Sequence, residues 1–333
     1  MPLTEQKIAA YLARVPSTKR DEPMAKRTSF RVGGNAKLHV TASSSEALIE
    51  AVMAALELDI PFYIYGGGSN LLVNDEGYEG VMIQAGNRKT TIHGDRVEVE
   101  AGMITGLVAR QSVDAGLKGF EWAIGVPGTI GGAVYGNAGC YGGEMKDFVL
   151  SVEVFDLNTH ERKMLSNSEC EFVYRGSMFK HHSSSARLLP YLILSTTLQL
   201  KPTSDIVAGK TRMEEIMKMR KEKQPLDASS AGCAFKNFEF SDESALDILK
   251  RSVEVPESMV KDKSVSAGWL IDQAGMMGES VGDAQVSTKH GNFFLNKGKA
   301  RAQDILALIS RVKMKVRDEF GIEMREEVQL VGF

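Results

Sequence analysis

A glycine-rich run from Gly125 to Gly143 constrains the fold of this chain more than any other feature. Eight of its nineteen residues are glycine, which is too many for a single turn. Apolar residues such as Ile130 and Val134 alternate with the glycines, so the run is not a flexible linker. A backbone without side chains allows another segment, or a flat or phosphorylated ligand, to approach closely. The run therefore predicts either a wall of a large ligand site or an unusually glycine-rich core.

A second glycine cluster, Gly66-Gly67-Gly68-Ser69-Asn70, follows the predicted strand Phe62–Tyr65. Successive glycines let backbone N–H groups converge on an anion, although a plain tight turn has the same composition. The next residues, Leu71-Leu72-Val73, are typical of a strand. The cluster is therefore neither a Rossmann fingerprint nor a P-loop, because both need a helix at that point. Two such segments in one domain favour a large cofactor held from two sides.

The charge balance, 40 basic against 43 acidic residues, argues against a nucleic-acid partner, which would need a basic face. No apolar run is long enough to span a membrane, and the first residues lack the apolar core of a signal peptide. We therefore expect a soluble, cytoplasmic protein. The spacings of Cys140, Cys170 and Cys233 match neither a zinc site nor a disulfide framework, which predicts reduced thiols and no metal.

The length of 333 residues predicts more than one domain. Short alternating strands and separate helices indicate an α+β fold. We place a boundary near residue 202, which gives a cofactor domain at 1–202 and a smaller α+β domain at 203–333. The second domain is predicted to end with an amphipathic helix, Ala302–Phe320, which stops at Gly321. A final strand would return from there towards the active site.

Three side chains are candidates for chemistry. Cys233 lies between a glycine and a basic, amide-bearing segment, and is an acid, a nucleophile or a small buried residue. Arg175 follows Tyr174 and either grips a carboxylate through its two-pronged guanidinium or is an ordinary surface arginine. Glu327 belongs to a carboxylate-rich terminal strand, for which a charged sheet edge is the simpler interpretation. A thiol hydrolase built on Cys233 would require His290 to reach it.

Taken together, these segments resemble the UDP-N-acetylenolpyruvoylglucosamine reductase family. The resemblance runs from about Pro23 to Val331 and rests on motifs in the same order: Gly66–Asn70, Gly125–Gly143, Tyr174-Arg175, Lys223-Gln224-Pro225, Gly232–Asn237, Ala267–Gln273 and Glu327-Val328. It implies an FAD-binding domain of the vanillyl-alcohol-oxidase (PCMH) type, made of two α+β subdomains, followed by a substrate-binding domain. It also implies a monomeric enzyme of peptidoglycan synthesis that uses NADPH to form UDP-N-acetylmuramate.

The resemblance also assigns residues. The implied catalytic residues are Arg175, Glu327 and Cys233, and Cys233 stands where the family usually has a proton-donating serine. The implied substrate contacts are Tyr174, Lys223, Asn237 and Gln273. The implied FAD contacts are Gly66, Gly67, Gly68, Ser69, Asn70, Leu71, Gly125, Pro127, Gly128, Thr129, Gly131, Gly132, Ala133, Asn137 and Gly139. The short span between Arg175 and Lys223 is similar to the family subtype that lacks a substrate-covering tyrosine loop.

These residue types suit the reaction. Reduction of an enolpyruvyl ether needs a hydride that no side chain supplies, so a flavin recharged by a nicotinamide is required. Hydride addition leaves negative charge that spreads into the substrate carboxylate, where Arg175 and a protonated Glu327 would stabilise it. A thiol is mostly protonated at neutral pH and more acidic than a serine hydroxyl, so Cys233 is a suitable proton donor. A flavin oxidase or dehydrogenase of small alcohols and a non-catalytic nucleotide-binding protein remain the alternatives.

Overall fold

A computed structural model describes residues 3–181 and 190–333 of the chain. The helices of the described residues are α1 (Glu5–Arg14), α2 (Ser45–Glu57), α3 (Thr105–Asp114), α4 (Ile130–Tyr135), α5 (Met178–His181), α6 (Ile206–Lys223), α7 (Asp247–Ser252), α8 (Glu257–Lys261), α9 (Ala267–Gln273) and α10 (Ala302–Phe320). The strands are β1 (Lys19–Pro23), β2 (Asn35–Ala42), β3 (Phe62–Tyr65), β4 (Leu71–Val73), β5 (Tyr78–Ala85), β6 (Thr90–His93), β7 (Arg96–Glu100), β8 (Leu117–Lys118), β9 (Gly139–Cys140), β10 (Gly143–Glu144), β11 (Val149–Asp156), β12 (Glu161–Ser166), β13 (Tyr191–Gln199), β14 (Lys201–Pro202), β15 (Phe238–Glu239), β16 (Ser264–Val265), β17 (Ser280–Val281), β18 (Ala284–Val286), β19 (Phe294–Asn296) and β20 (Gln329–Val331).

The chain forms two compact units that do not follow a single cut in the sequence. The first unit contains the residues up to Glu22, Ala36–Gly67 and Glu79–Arg220, and the second contains Pro23–Asn35, Gly68–Tyr78 and Lys221–Phe333. The division between Gly67 and Gly68 falls inside the first glycine cluster. The domain boundary near residue 202 stays a prediction.

The first unit begins with a four-stranded sheet in the order β1-β2-β5-β3, in which β3 and β5 are parallel. Helices α1 and α2 contribute Ile8, Tyr11 and Leu48 to its core. The buried phenol of Tyr11 donates a 3.0 Å hydrogen bond to the carbonyl of Ala51, which joins the two helices. This arrangement places the end of β3, and with it Gly66, at the edge of a rigid layer.

A second sheet in the same unit is antiparallel throughout, in the order β12-β11-β13-β7-β6. Its own apolar core includes Val99, Val152 and Leu198, together with Ile130 from α4. Strand β13 also contributes Leu192 to the core beneath the first sheet. Because each sheet has its own core and its own helices, the first unit consists of two α+β parts, as the FAD-binding fold predicts.

The second unit is built around α10, whose predicted bounds are confirmed. Its apolar stripe, which includes Leu308 and Val312, lies in the core. Gly321 ends the helix with φ +68°, a left-handed conformation that suits glycine. Strands β17, β18 and β19 form an antiparallel sheet, and the terminal strand β20 pairs in parallel with β4, so that Gln329 lies opposite Leu71.

Among the described residues, no helix has both the length and the apolar character that crossing a membrane requires.

Candidate functional site

The two glycine segments meet in the first unit. A Cβ atom added to Gly67 would lie 2.9 Å from the Cα of Gly128, and one added to Gly66 would overlap the hydroxyl of Thr129. Gly128 itself has φ +100°, a conformation that side chains rarely tolerate. Close backbone approach therefore explains these glycines, and it brings together residues that were predicted to hold one ligand.

Thr129 carries a polar atom that no described residue satisfies. Its Oγ1 is buried and has no hydrogen-bond partner among the described residues. Buried hydroxyls without partners are uncommon, and a bound group or an ordered water usually completes them. A Cβ added to Gly66 would overlap this hydroxyl and one added to Gly132 would lie 3.7 Å from it, so both glycines border it. A group with acceptor oxygens, such as the diphosphate of FAD, fits this place.

The other predicted cofactor residues of the second segment divide into surface and packing positions. Pro127 and Gly132 are exposed. The methyl group of Ala133 lies in the core, and Gly131 packs so closely on Ala101 that an added Cβ would lie 2.8 Å from the alanine Cβ. Packing against the neighbouring strand is therefore sufficient to explain Ala133 and Gly131, while Pro127 and Gly132 remain accessible.

The side chain of Asn137 binds protein, and the predicted contact of this residue with the cofactor stays a prediction. Its amide nitrogen donates to the carboxylate of Glu144 at 3.0 Å and to the carbonyl of Val173 at 2.9 Å. Its Oδ1 accepts from the backbone N–H of Lys146 at 3.0 Å. The side chain thus ties the end of the glycine run to the segment that carries Arg175.

Arg175 lies against the second glycine segment. Its Nη2 donates to the carbonyl of Gly139 at 3.0 Å, and its guanidinium carbon is 5.3 Å from the centre of the Tyr174 ring. The residue has φ +52°, an uncommon backbone conformation for arginine that costs about 1–3 kcal/mol and is often found at functional sites. The hydroxyl of Ser177 donates to the carbonyl of Tyr135 at 2.7 Å and holds the same turn in place. A half-buried cation is therefore presented beside the predicted cofactor wall.

The segment of Cys233 belongs to the second unit, where Asn292 supports it. The backbone N–H of Phe235 donates to Asn292 Oδ1 at 2.9 Å, and Asn292 Nδ2 donates back to the Phe235 carbonyl at 2.8 Å. The N–H of Ala234 also donates to the Asn292 carbonyl, at 2.8 Å. Asn292 is 3% exposed, and sequence reasoning missed its role. The available signal was an amide immediately before the apolar run Phe293–Leu295, since a buried amide requires partners.

The segment of Glu327 runs beside that of Cys233. The N–H of Glu327 donates to the Ala234 carbonyl at 2.7 Å, and the N–H of Lys236 donates to the Arg325 carbonyl at 2.9 Å. Cys233 and Glu327 are both half-buried. Two of the three predicted catalytic residues therefore lie on adjacent segments of one unit, while Arg175 belongs to the other.

Two of the predicted substrate contacts of the second unit end helices, and the third bonds to the start of one. Asn237 accepts at Oδ1 from the N–H of Ala267, the first residue of α9, at 3.2 Å, and Gln273 is the last residue of that helix. Lys223 is the last residue of α6 and is exposed. Their roles stay predictions, and so does the family subtype, since residues 182–189 of the span between Arg175 and Lys223 lie outside the described residues.

The remaining thiols are protonated at neutral pH. Burial raises the pKa of Cys140 to about 11 and that of Cys170 to about 12. Cys170 is fully buried in the second core of the first unit. Both are poor nucleophiles in this state, because the thiolate is the reactive form.

Comparisons with known proteins agree with this geometry. Residues 36–163 match an FAD binding domain, and residues 224–331 match the C-terminal domain of UDP-N-acetylenolpyruvoylglucosamine reductase. The reductase of that name from Caldanaerobacter subterraneus subsp. tengcongensis is 36% identical over 313 residues, which cover 94% of this chain and 93% of the relative. The one from Clostridium novyi is 38% identical over 310 residues, covering 93% and 90%.

The chain belongs to the UDP-N-acetylenolpyruvoylglucosamine reductase family.

The crystal structure of the reductase from Thermus caldophilus superimposes on this chain with a TM-score of 0.71 and 32% sequence identity, covering 94% of this chain and 98% of that one. The predicted family membership and the α+β fold with an FAD-binding part are therefore confirmed. The residues at the junction of the glycine segments fit FAD, because Thr129 provides a buried hydroxyl that has no partner among the described residues, and Gly67 and Gly132 provide exposed backbone.

Proposed function

We propose that this protein reduces UDP-N-acetylenolpyruvoylglucosamine to UDP-N-acetylmuramate with NADPH, through FAD, as a step in peptidoglycan precursor synthesis. The observation that carries the proposal is 36% identity to a reductase of this name across 94% of the chain. The reaction adds a hydride to the methylene carbon and a proton to the carbon that bears the carboxylate. The carbon–carbon double bond is reduced, and NADPH is oxidised.

The first unit would hold FAD along the two glycine segments. Gly67 and Gly132 offer exposed backbone, and the Thr129 hydroxyl offers a donor for a phosphate oxygen. FAD, when bound, supplies the hydride chemistry that side chains lack. Every other part of the reaction falls to side chains of the protein.

Arg175 binds the substrate carboxylate in this proposal. Addition of hydride places negative charge on that carboxylate, and a fixed guanidinium stabilises it without reorganisation. The bond to Gly139 and the contact with Tyr174 hold the guanidinium in one orientation. A forked cation can grip both oxygens of a carboxylate, which a single ammonium group cannot do.

Glu327 and Cys233 handle protons. We assign to protonated Glu327 the donation of a hydrogen bond to the developing anion. We assign to Cys233 the donation of the proton that ends on carbon. Their adjacent backbone segments, joined by the bond between Glu327 and Ala234, support a shared task. The thiolate left by Cys233 recovers its proton from water before the next turnover.

The rest of the proposal concerns substrate recognition, the order of binding, the oligomeric state and the cellular location. Tyr174, Lys223, Asn237 and Gln273 would contact the substrate, and the exposed ammonium of Lys223 suits the diphosphate of a UDP-sugar. A cycle in which NADPH leaves before substrate binds predicts parallel lines in double-reciprocal plots. We further propose a monomer that works in the cytoplasm, where this nucleotide sugar would be made.

An anaerobic titration tests the function. The purified protein should be yellow, lose its flavin absorbance with NADPH, and regain it on addition of one equivalent of UDP-N-acetylenolpyruvoylglucosamine. A small-alcohol oxidase or dehydrogenase would not be reoxidised by this substrate. A colourless protein that takes up no FAD would instead support a nucleotide-binding role and would refute the proposal.

A further inference from the structure

The side-chain amide of Asn70 is bonded to the backbone of Glu327. Asn70 Nδ2 donates to the Glu327 carbonyl at 3.1 Å, and the Nε2 of Gln329 donates to the same oxygen at 2.9 Å. All three residues belong to the second unit. We propose that Asn70 is a positioning residue for Glu327, an inference that rests on the proposed function of Glu327 as a catalytic acid.

The bonds around Glu327 fix the direction of its side chain. Its N–H donates to Ala234 at 2.7 Å, and its carbonyl receives Asn70 on the other side. A residue has only two soft backbone dihedrals, so holding both of its peptide groups leaves little freedom in the direction of the Cα–Cβ bond. The acid is thereby oriented from one side by the segment of Cys233 and from the other by the first glycine cluster.

The pairing of β4 with β20 does not by itself reach Glu327. The parallel ladder between β4 and β20 starts where Leu71 lies opposite Gln329, and the N–H of Gln329 donates to the Asn70 carbonyl at 2.9 Å. Glu327 precedes this ladder by two residues. The Asn70 amide therefore extends the attachment to the residue that carries the functional carboxyl.

This contact gives Asn70 a role different from the predicted one. The sequence assigned the whole cluster Gly66–Asn70 to the cofactor, whereas the Asn70 amide nitrogen is directed to a carbonyl of the C-terminal segment. Backbone N–H groups of the cluster remain suited to an anion, because they do not depend on the amide. Removal of the amide should thus impair the stabilisation of the developing anion by Glu327, and not flavin binding.

The same strand pair offers a matched control at its other end. Asn74 Nδ2 donates to the Gly332 carbonyl at 2.8 Å, and Asn74 Oδ1 also accepts from the N–H of Glu76 at 3.0 Å. Among the described residues, Asn74→Ala therefore removes two hydrogen bonds between side chain and backbone, whereas Asn70→Ala removes one. If Asn70 only fastened the strand, the Asn74 variant would be affected at least as strongly.

The experiment compares the two half-reactions of the FAD-loaded wild type, Asn70→Ala and Asn74→Ala by anaerobic stopped flow. For Asn70→Ala we expect the limiting rate of reoxidation by substrate to fall about 10- to 100-fold, because misplacing a catalytic group by about 1 Å has effects of that size. Its substrate dissociation constant and its rate of flavin reduction by NADPH should stay close to wild type. Asn74→Ala should keep both half-reactions.

A second readout does not depend on activity. Amide hydrogen exchange of the peptide containing Glu327 should be faster in Asn70→Ala than in the wild type and unchanged in Asn74→Ala. Equal rates of reoxidation, or equal exchange, in the two alanine variants would overturn the inference. A wild type that substrate does not reoxidise would refute the proposed function instead, while the exchange measurement still tests the contact.

Loss of the cofactor is also informative. If Asn70→Ala purifies without FAD, Asn70→Leu, which keeps the volume of the amide without its N–H, is measured in its place. A leucine variant that binds FAD but is slowly reoxidised supports the positioning role. Loss of FAD from both variants would assign Asn70 to the cofactor and overturn the proposal.

Discussion

Arg175 donates a 3.0 Å hydrogen bond from Nη2 to the backbone carbonyl of Gly139, a residue that lies 36 positions earlier in the chain. The bond joins the proposed carboxylate-binding side chain to the end of the glycine run. The glycine run is also the predicted cofactor wall. The hydrogen bond therefore explains why the carboxylate-binding arginine and the cofactor wall occur in one unit.

Arg175→Lys should slow reoxidation of the flavin by substrate about 100-fold or more, the usual cost of removing one preorganised donor to a developing anion. Lysine keeps the charge but cannot make the forked contact. Flavin reduction by NADPH should change little. Stopped-flow measurement of both half-reactions checks this, with Arg162→Lys as the matched control because Arg162 pairs with Glu46 and Glu153 on the surface. An unchanged rate of reoxidation would remove Arg175 from the mechanism.

Cys233→Ala should leave flavin reduction intact and slow reoxidation by about 100- to 10,000-fold, the range expected for loss of a general acid. Cys233→Ser should recover part of the rate, because a hydroxyl can still donate a proton. Cys170→Ala is the control, since that thiol is buried in the first unit and should affect stability instead. Equal losses in both half-reactions of Cys233→Ala would contradict a role in proton donation.

Gly66→Ala should abolish most FAD binding. The new methyl group would overlap the Thr129 hydroxyl and separate the two glycine segments. Gly136→Ala is the matched control within the same region, because its Cβ would meet its nearest neighbour at 3.6 Å, an ordinary contact. The ratio of flavin to protein absorbance in the purified variants measures the effect. Full FAD content in Gly66→Ala would mean that the approach of the two segments is not needed for binding.

Acidification should destabilise the second unit through His290. Burial lowers the pKa of this imidazole below its ordinary value near 6.5, and its Nδ1 accepts the N–H of Asn292 at 3.2 Å. The unfolded chain therefore binds a proton at a higher pH than the folded chain, so stability is lost as pH falls from about 6.5 through the folded value. His290→Asn removes this titration and should flatten the pH dependence of the unfolding free energy in that interval. Urea titrations at several pH values measure the unfolding free energy. The same dependence of that free energy on pH in the wild type and in His290→Asn would refute this.

Local patterns predicted much of the fold. The apolar stripe of α10 and its stop at Gly321 are properties of neighbouring residues, and both are confirmed. The glycine segments were recognised for the same reason, because a run of glycines has few structural uses. The contact between the two segments, at Gly67 and Gly128, was inferred only from the occurrence of both segments in one domain.

Other parts of the site could not be deduced from a local pattern. Asn137 has the composition of a ligand residue, yet its amide is used by Glu144 and Val173. Asn292 is marked only by the apolar run that follows it, yet it holds the backbone of Phe235, two residues after Cys233. An amide side chain donates and accepts equally well towards a ligand or a peptide group, so its partner depends on what the fold places beside it.

The sequence by itself determined the family and the α+β character, because these follow from residue type and order along the chain, and it predicted the reactive groups. Only the tertiary structure decided which polar side chains face protein, and that the C-terminal strand pairs with Leu71 and so brings Glu327 to Asn70 and Ala234. The physical reason is that hydrogen bonds between residues far apart in the chain, 257 positions for Asn70 and Glu327, depend on how the segments pack, which short-range periodicity does not encode.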